Sequence, residues 1–429
     1  MFQGKNILLK PDKSQLLHAI KDYTTTSEAE RTKSIPETDH YVLDGGSLLH
    51  RLKWTEGSLY TSIAGSYASF TINKYGKATI VFDGYNGEPS TKDNAHERRK
   101  NHVSNKVQIT DTTKFTGKKE DFLSNNENKQ AIIKLIGNQM QERGCHVIHA
   151  EGDADVEIVK AAVAMSSYRS TTVIGEDTDL LVLLLFHSKT DCMDLYFRSD
   201  KTNDKELFVY DIKLLKNLFG KDACSDILFG HAFSGCDTTS RIFGVGKKSV
   251  FQKVISEDNV FRSFAKTFCT PSMDPEIIDQ EGCKAMVTLF NGKEGESLES
   301  LRSRLLSKKI CTAKSFVKPE RLPPTTSAAK LHSRRTDFQV MVWLCKSDGM
   351  NVTDWGWVYN GGKLYPLMMN KSPAPEILLK IIRCNCSTGC STKICSCKKN
   401  GLECTPACGH SCKNMNQEFI VDDEDVIDN

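Results

Sequence analysis

The sequence has 429 residues, of which 39% are hydrophobic and 26% are charged, and its formal net charge is only +3. That length is enough for two or three domains with a large buried core. The balanced charge excludes a polycation, so affinity for nucleic acid has to come from local basic patches. No apolar run reaches about 18 residues, which argues against a membrane span, and the N-terminus MFQGKNILLKPDK lacks the apolar core of a secretory signal.

The first part of the chain is predicted to form a polar helical extension (1–40) followed by an α/β domain (41–256). Four short apolar runs, YVLD, ATIVFDGY, CHVIHA and TTVIG, have the length and composition of buried strands. Between them, residues 57–73, 126–143 and 153–165 have helical periodicity, and LLVLLL is a further buried run. This alternation predicts a parallel sheet with helices on both faces.

The C-terminal part has a different composition. Residues 257–345 are predicted to be mostly helical, and residues 346–383 to form a connector with a hairpin-like segment, WGWVYNGGKLYP. A cysteine-rich segment (384–414) and an acidic tail (415–429) follow, and the sequence contains no internal repeat.

Aspartates follow the predicted strands repeatedly, in the place where sites form on open parallel sheets. They are Asp44, Asp83, Asp153, Asp155, Asp177 and Asp179, with Asp237 in the turn SGCDTTS. Any one of them could simply cap the following helix. Five separate segments, two of which carry D-x-D pairs, are more than capping alone explains.

Clustered carboxylates repel one another and therefore need cations between them. Mg²⁺ and Mn²⁺ prefer oxygen ligands. Two such ions about 3.5–4 Å apart can stabilise both the attacking and the leaving oxygen of a phosphodiester. Seven carboxylates are more than one ion uses, so the pattern favours a two-metal site.

The ordered motifs resemble the PIN-like superfamily that includes the XPG and flap endonucleases. YVLDGGSLLHRL resembles the first block of that family, and VFDGYNGEPSTK with HERRK resembles the second. AEGDADVEIVKAA, GEDTDLLVL and SGCDTTSRIFGVGKKSVFQKVI resemble the later blocks, the last of them a final acid with a helix–two-turn–helix. The resemblance implies a structure-selective 5′ nuclease in which the seven aspartates hold two Mg²⁺ or Mn²⁺ ions. It also implies that Arg98, Arg99 and Lys100 steer the scissile phosphate, the alternative being that HERRK is a solvated helix face.

Three features depart from the family pattern. About 40 residues precede the first acid, the segment between residues 106 and 127 is short and polar where the family builds an arch, and the resemblance fades after about residue 260. These departures leave nuclease chemistry as the expectation without predicting that a flap is threaded.

The segment FGVGKKSVF follows the last acid. Gly244 and Gly246 can expose backbone N–H groups at a helix N-terminus, and Lys247 and Lys248 add two ammonium groups. The segment is therefore predicted to contact nucleic-acid phosphate, the alternative being a plain loop into a helix.

Half of the 16 cysteines are concentrated in 29 residues near the C-terminus. The predicted zinc ligands are Cys384, Cys386, Cys390, Cys395, Cys397, Cys404, Cys408, His410 and Cys412. Nine ligands suit three zinc ions with bridging thiolates or two without. Disulfides are the alternative, which a reducing compartment such as the nucleus or cytosol disfavours.

The cysteine spacing resembles the tesmin-type CXC domain, in which the position of Ile394 holds a DNA-contacting aromatic residue. Lys393, Lys398 and Lys399 give the segment a basic character suited to phosphate contact. The whole chain resembles a group of animal proteins, often associated with mobile elements, that joins such a nuclease-like region to such a cysteine cluster.

Two main functions are consistent with these patterns. The first is a Mg²⁺- or Mn²⁺-dependent nuclease acting on structured nucleic acid, DNA rather than RNA, with a zinc module that tethers it. The second is a catalytically inactive nucleic-acid-binding protein that keeps the fold, and a zinc-dependent chromatin adaptor is a weaker third. A nuclear location is expected, protein partners are not indicated, and no membrane partner is expected.

Overall fold

The computed structural model describes residues 7–26, 36–84, 89–92, 104–201, 208–256, 260–312, 316–369, 373–375, 382–386, 389–404, 408, 412 and 414. Arg98, Arg99, Lys100 and His410 lie outside these described residues. The chain divides into two compact units, the first formed by residues 1–282 with 330–368 and the second by residues 283–329 with 369–429. None of the described helices has both the length and the apolar character needed to span a membrane.

The first unit is built on a six-stranded sheet in the order β3-β2-β1-β4-β5-β6. All neighbouring strands are parallel except β5 and β6. The strands are β1 (His40–Asp44), β2 (Thr79–Phe82), β3 (His146–His149), β4 (Thr171–Ile174), β5 (Leu195–Arg198) and β6 (Val209–Asp211). The four predicted strands are confirmed as β1 to β4.

The strand order and register show where a crevice forms at the edge of the sheet. Leu43 in β1 pairs with Ile80 on one side and with Ile174 on the other. The chain runs outward from β1 to β2 and β3, and then returns to place β4 and β5 on the opposite side of β1. In such open sheets a crevice forms at the carboxyl ends of the two strands where the direction reverses, here β1 and β4.

Helices of the first unit flank the sheet, so the predicted mixed α/β architecture with a mostly parallel sheet is confirmed. The helices of the described residues in both units are numbered together. In chain order they are α1 (Ser14–Thr26), α2 (Gly45–Leu49), α3 (Tyr60–Tyr75), α4 (Lys119–Ser124), α5 (Asn126–Glu142), α6 (Asp155–Ser166), α7 (Thr178–His187), α8 (Ile212–Phe233), α9 (Lys247–Ile255), α10 (Val260–Phe268), α11 (Pro275–Leu289), α12 (Leu298–Thr312), α13 (Thr326–Trp343) and α14 (Ser396–Lys399). Two 3₁₀ turns cover Pro319–Arg321 and Val352–Trp355.

Local sequence explains several of these boundaries. Asn125 begins α5 because its side chain accepts from the backbone N–H groups of Glu127 and Asn128. Gly76 ends α3 at a φ of +67°, which glycine adopts without steric cost. The buried run LLVLLL lies in helix α7, whose residues 178–185 are all buried.

The N-terminal segment is packed into the first unit. Leu8, Leu16 and Ile20 are buried, and the backbone N–H of Arg241 donates to the carbonyl of Leu9 at 3.1 Å. Residues 7–26 therefore share the core of the α/β unit, because their apolar side chains are removed from water with it.

Two further elements lie outside the main sheet. The predicted hairpin is confirmed as β7 (Trp357–Asn360) paired with β8 (Lys363–Pro366), in the first unit. The second unit contains α12 and α14, and its cysteine-rich part has a small core formed by cysteine sulfurs and Ile382.

Candidate functional site

Six of the seven predicted aspartates lie at the carboxyl ends of four adjacent strands. One is the last residue of β1, and the others follow β2, β3 and β4 by a few residues: Asp44, Asp83, Asp153, Asp155, Asp177 and Asp179. Asp237 joins them from the loop after α8, since its carboxylate binds the same ammonium as Asp177 and Asp179. This group of seven is called the aspartate cluster below.

Helix capping and cluster formation occur together at these positions. Oδ1 of Asp44 accepts from the backbone N–H of Ser47 at 3.1 Å, and Oδ1 of Asp177 accepts from that of Asp179 at 3.1 Å. Each cap uses one oxygen of the carboxylate and fixes the side chain's direction.

Glycines allow the ends of β1, β2 and β3 to approach closely. A Cβ on Gly46 would lie 3.1 Å from Oδ1 of Asp44 and 3.4 Å from Oδ2 of Asp83. A Cβ on Gly84 would lie 2.3 Å from the carbonyl oxygen of Ala150, because the chain after β2 runs directly against the chain after β3. Small residues at these two points therefore bring carboxylates from neighbouring strands to one place.

Within the part of the chain that the structure describes, two lysine side chains enter the aspartate cluster. Nζ of Lys13 lies 3.0 Å from Asp177 and 2.9 Å from Asp179. Nζ of Lys92 lies 2.5 Å from Asp153 and 3.0 Å from Asp155. The two ammonium groups partly neutralise the cluster, one on each half.

Burial and mutual repulsion shift the pKa values of these carboxyls. Desolvation, followed by the charges of Asp83 and Asp177, raises the pKa of Asp44 to about 7. Burial likewise raises the pKa of Asp155 and of Asp177. The two lysines therefore do not fully neutralise the carboxylates of the aspartate cluster, and further positive charge would stabilise their charged forms.

Asp179 behaves oppositely to its neighbours. Burial acts to raise its pKa, but Lys13 and a hydrogen bond from His231 outweigh that effect and hold the pKa well below the ordinary value. The charged form of Asp179 is therefore stabilised, whereas the charged forms of Asp44, Asp155 and Asp177 are not.

The donor set fits a hard divalent cation, since it consists of carboxylate oxygens at the carboxyl edge of a sheet. Among the described residues, the groups whose ligand atoms already lie within reach of one ion are all cysteines. Five of the aspartates, Asp153, Asp155, Asp177, Asp179 and Asp237, instead place an oxygen 2.5–3.2 Å from an ammonium. Mg²⁺ takes oxygens at about 2.0–2.1 Å. Binding an ion would draw these carboxylates together by roughly 1 Å per contact.

The cysteine segment has the spacing of a zinc centre. Sγ of Cys384 lies 3.6 Å from that of Cys390, 3.8 Å from Cys404 and 3.5 Å from Cys412. A tetrahedron with Zn–S arms of about 2.3 Å has edges of about 3.8 Å. Among the described residues, three groups of four sulfurs are close enough together to bind one ion, and each group includes Cys384.

The electrostatics of Cys384 also suit a metal ligand. Burial acts to raise the pKa of its thiol, but hydrogen bonds from the backbone of Cys386 and from the thiols of Cys412 and Cys390 lower the pKa to about 5. Cys384 is therefore the sulfur of the cluster most ready to act as a thiolate.

The predicted phosphate contact by Lys247 is wrong. Its side chain is buried, and its ammonium donates to Nδ1 of His231 at 3.0 Å, to the His231 carbonyl at 2.9 Å and to Ser234 at 3.1 Å. The end of α8 offers these acceptors, so the lysine turns inward.

The other predicted phosphate-binding residues of this segment, Gly244, Gly246 and Lys248, are exposed. Lys248 is exposed and pairs with Asp22 at 2.8 Å. Gly244 has a φ of +76°, and Gly246 is the N-cap residue of α9. Phosphate binding by Gly244, Gly246 and Lys248 stays a prediction.

The basic residues of the cysteine segment lie at its surface. Lys393, Lys398 and Lys399 are exposed, and Ile394 is 89% exposed. A side chain so placed can contact a partner, so DNA contact by this face remains a prediction.

Sequence reasoning missed three residues of the aspartate cluster's surroundings. Lys13 lies in the segment predicted to be a polar extension, and nothing in its local sequence marks it. Lys92 is the last residue of the motif VFDGYNGEPSTK, so its position in that block was a usable signal. His231 lies within a helix and shows no pattern of its own.

No family model matches the chain, and no curated protein is significantly similar to it. The catalytic core of Rad2 in complex with a DNA substrate is 15% identical with a TM-score of 0.35, over 61% of this chain and 75% of that chain. The T5 D15 protein co-crystallised with metal ions is 15% identical with a TM-score of 0.36, over 72% and 99%. Flap endonuclease-1 from Methanococcus jannaschii is 13% identical with a TM-score of 0.33, over 71% and 93%. At such scores the similarity says nothing of function, which has to follow from this chain's own side chains.

Proposed function

We propose that the chain is a Mg²⁺- or Mn²⁺-dependent nuclease that hydrolyses phosphodiester bonds in structured nucleic acid. The observation that carries this proposal is the convergence of seven aspartates from four strand ends and one loop at a single edge of the sheet. Asp155, Asp179 and Asp237 are buried, and the other four are half-buried. Carboxylates removed from water and placed together are costly unless cations neutralise them.

The proposed roles follow from position. The aspartate cluster holds the cations. When bound, divalent ions supply Lewis-acid activation of water and stabilise charge on the phosphoryl oxygens. Lys92, from the loop after β2, is placed to exchange its carboxylate partners for a substrate phosphate, and Arg98, Arg99 and Lys100 are proposed to assist it.

The cysteine segment is proposed to hold two or three zinc ions through the eight cysteines and His410, and to tether the chain to DNA. Its support is the tetrahedral spacing of the sulfurs around Cys384 and the exposed Lys393, Lys398 and Lys399. DNA is the proposed substrate and the nucleus the proposed location.

A cleavage assay tests the nuclease proposal. Flap, nicked, bubble and duplex DNA and structured RNA are incubated with Mn²⁺ and the wild-type chain, with Asp177→Asn and with Asp111→Asn, which removes an exposed acid outside the cluster. The wild type and Asp111→Asn should cleave at least one substrate, and Asp177→Asn should be slower by about 10²-fold or more. Equal cleavage by all three proteins points to a contaminant.

A second function is favoured by one observation, the internal neutralisation of the aspartate cluster by Lys13 and Lys92. A protein that binds structured nucleic acid without cutting it would have this property. Salt-dependent binding of the same substrates with no cleavage in Mg²⁺ or Mn²⁺ would establish that function instead.

A further inference from the structure

The ammonium of Lys13 occupies the point on which three carboxylates of the aspartate cluster converge. Its Nζ lies 3.0 Å from Oδ2 of Asp177, 2.9 Å from Oδ2 of Asp179 and 3.2 Å from Oδ2 of Asp237. An ammonium has three N–H donors, so each carboxylate can receive one. The side chain of Lys13 is only 15% exposed.

The backbone around Lys13 is fixed on both sides. The hydroxyl of Thr178 donates to the Lys13 carbonyl at 3.3 Å, and the carbonyl of Leu9 accepts from Arg241 at 3.1 Å. Leu16, one turn into α1, is buried. Lys13 is therefore presented to the carboxylates by a packed part of the fold and not by a loose arm.

A divalent ion and this ammonium compete for the same oxygens. An ion bound by Asp177, Asp179 and Asp237 would need their oxygens at about 2.0–2.2 Å, at the point that Nζ now occupies. Two cations in contact repel strongly, so only one of them can hold that position. The acids at the ends of β1, β2 and β3 are Asp44, Asp83, Asp153 and Asp155. An ion bound there would take the place of the loop residue Lys92, whose ammonium pairs with Asp153 and Asp155.

We propose that Lys13 is the resident cation of Asp177, Asp179 and Asp237, so that the aspartate cluster binds one divalent ion per chain instead of two. This inference deepens the proposed function, and it rests on that function only in taking the remaining ion as the catalytic one. The sequence expectation of two ions would then hold only for a chain without this lysine.

Counting bound Mn²⁺ tests the proposal directly. Free Mn²⁺ is titrated by electron paramagnetic resonance into the full zinc-loaded chain as wild type, Lys13→Met and Lys10→Met. Lys10 is exposed in the same segment, so its variant loses the same charge away from the cluster. One ion is expected for the wild type and Lys10→Met, and two for Lys13→Met. Two ions in the wild type, or one in Lys13→Met with an unchanged circular dichroism spectrum, overturns the proposal.

Lysine acetylation provides a second measurement on the wild-type chain alone. Each lysine's reaction with an acetylating reagent is followed by mass spectrometry, with and without saturating Mn²⁺. Lys13 should stay unmodified in both conditions while Lys10 reacts in both. If Mn²⁺ makes Lys13 as reactive as Lys10, the ion displaces the lysine and the proposal is wrong.

The outcomes separate this inference from the proposed function. One bound ion without cleavage of any substrate would support the role of Lys13 and contradict the proposed nuclease activity. Cleavage with two ions bound to the wild type would support the nuclease activity and contradict the role of Lys13. The absence of any bound ion in all three proteins would contradict both proposals.

Discussion

Nε2 of His231 lies 2.7 Å from Oδ1 of Asp179, and both side chains are buried. On the other side of the ring, the ammonium of Lys247 donates to Nδ1, so Nε2 carries the proton and donates to Asp179. Burial, followed by the charge of Lys247, lowers the pKa of His231 to about 4, which keeps the ring neutral. A neutral imidazole thus holds the direction of one carboxylate of the aspartate cluster.

Replacing this imidazole should weaken both the fold and the cluster. His231→Ala leaves a buried carboxylate and a buried ammonium without their shared partner, and such losses cost about 2–4 kcal/mol. The free energy of unfolding, measured in urea, should fall by that amount, and cleavage should slow as Asp179 loses its orientation. His18→Ala, an exposed change on α1, should stay within about 0.5 kcal/mol of the wild type. Equal effects of both variants would contradict the role given to His231.

The raised pKa of Asp44 predicts how stability varies with pH in protein stripped of divalent ions. Burial raises that pKa from 3.8 to about 7, so the folded chain holds a proton that the unfolded chain releases. The resulting stability is present at acid pH and is lost as pH rises through about 7. Thermal unfolding should therefore move to lower temperature between pH 5 and pH 8.

Asp44→Asn checks the cause of that pH dependence. The variant removes the titrating group, so at pH 8 it should be more stable than the stripped wild type by about 1–3 kcal/mol. Saturating Mn²⁺ should stabilise the wild type more than the variant, because only the wild type has the full ligand set. A variant less stable than the wild type at pH 8 without divalent ions would show that the ionised carboxylate of Asp44 does not destabilise the folded chain.

Strands β1 to β4 and their aspartates were accessible from sequence because each is a local pattern. A short apolar run followed by an acid occurs within a few residues, and parallel topology then brings the strand ends together. Strand β5, with sequence LYFR, was not predicted, because it contains Arg198 and arginine is typical of the protein surface. In the structure Arg198 is buried, with its Nε 3.3 Å from Oδ1 of Asp200. The sequence of helix α7 has no helical alternation of apolar and polar residues, because every face of this helix is buried.

Long-range side-chain contacts set the limit of that prediction. Lys13 meets Asp177 across 164 residues of chain, and no local pattern encodes such a meeting. Lys247 lies in a motif typical of phosphate contact, yet its direction depends on acceptors at the end of α8. The sequence therefore predicted the acids of the aspartate cluster but not the two lysines, Lys13 and Lys92, that pair with them.

Gly84 should tolerate no side chain. A Cβ there would lie 2.3 Å from the carbonyl oxygen of Ala150 and 2.4 Å from that of Glu151, and backbone atoms cannot move aside cheaply. Gly84→Ala should lower the free energy of unfolding by about 2–4 kcal/mol and separate the ends of β2 and β3. Gly152→Ala is the control, since a Cβ at Gly152 meets nothing within 4 Å. Chemical denaturation of both variants decides the matter, and equal stability would contradict the close approach.

Cys384 should matter more to zinc content than cysteines elsewhere in the chain. Its sulfur belongs to each group of four that the described residues offer to one ion. Cys384→Ser should therefore lose at least one of the proposed two or three zinc ions per chain. Cys345→Ser removes an exposed thiol far from the cysteine segment in sequence and should keep full zinc. Elemental analysis of the purified chains measures both. Because a small cysteine-rich segment draws its folding energy from metal, protease digestion should also cut residues 384–414 faster in Cys384→Ser than in Cys345→Ser. Full zinc in Cys384→Ser would mean that the ion is held by a different set of sulfurs.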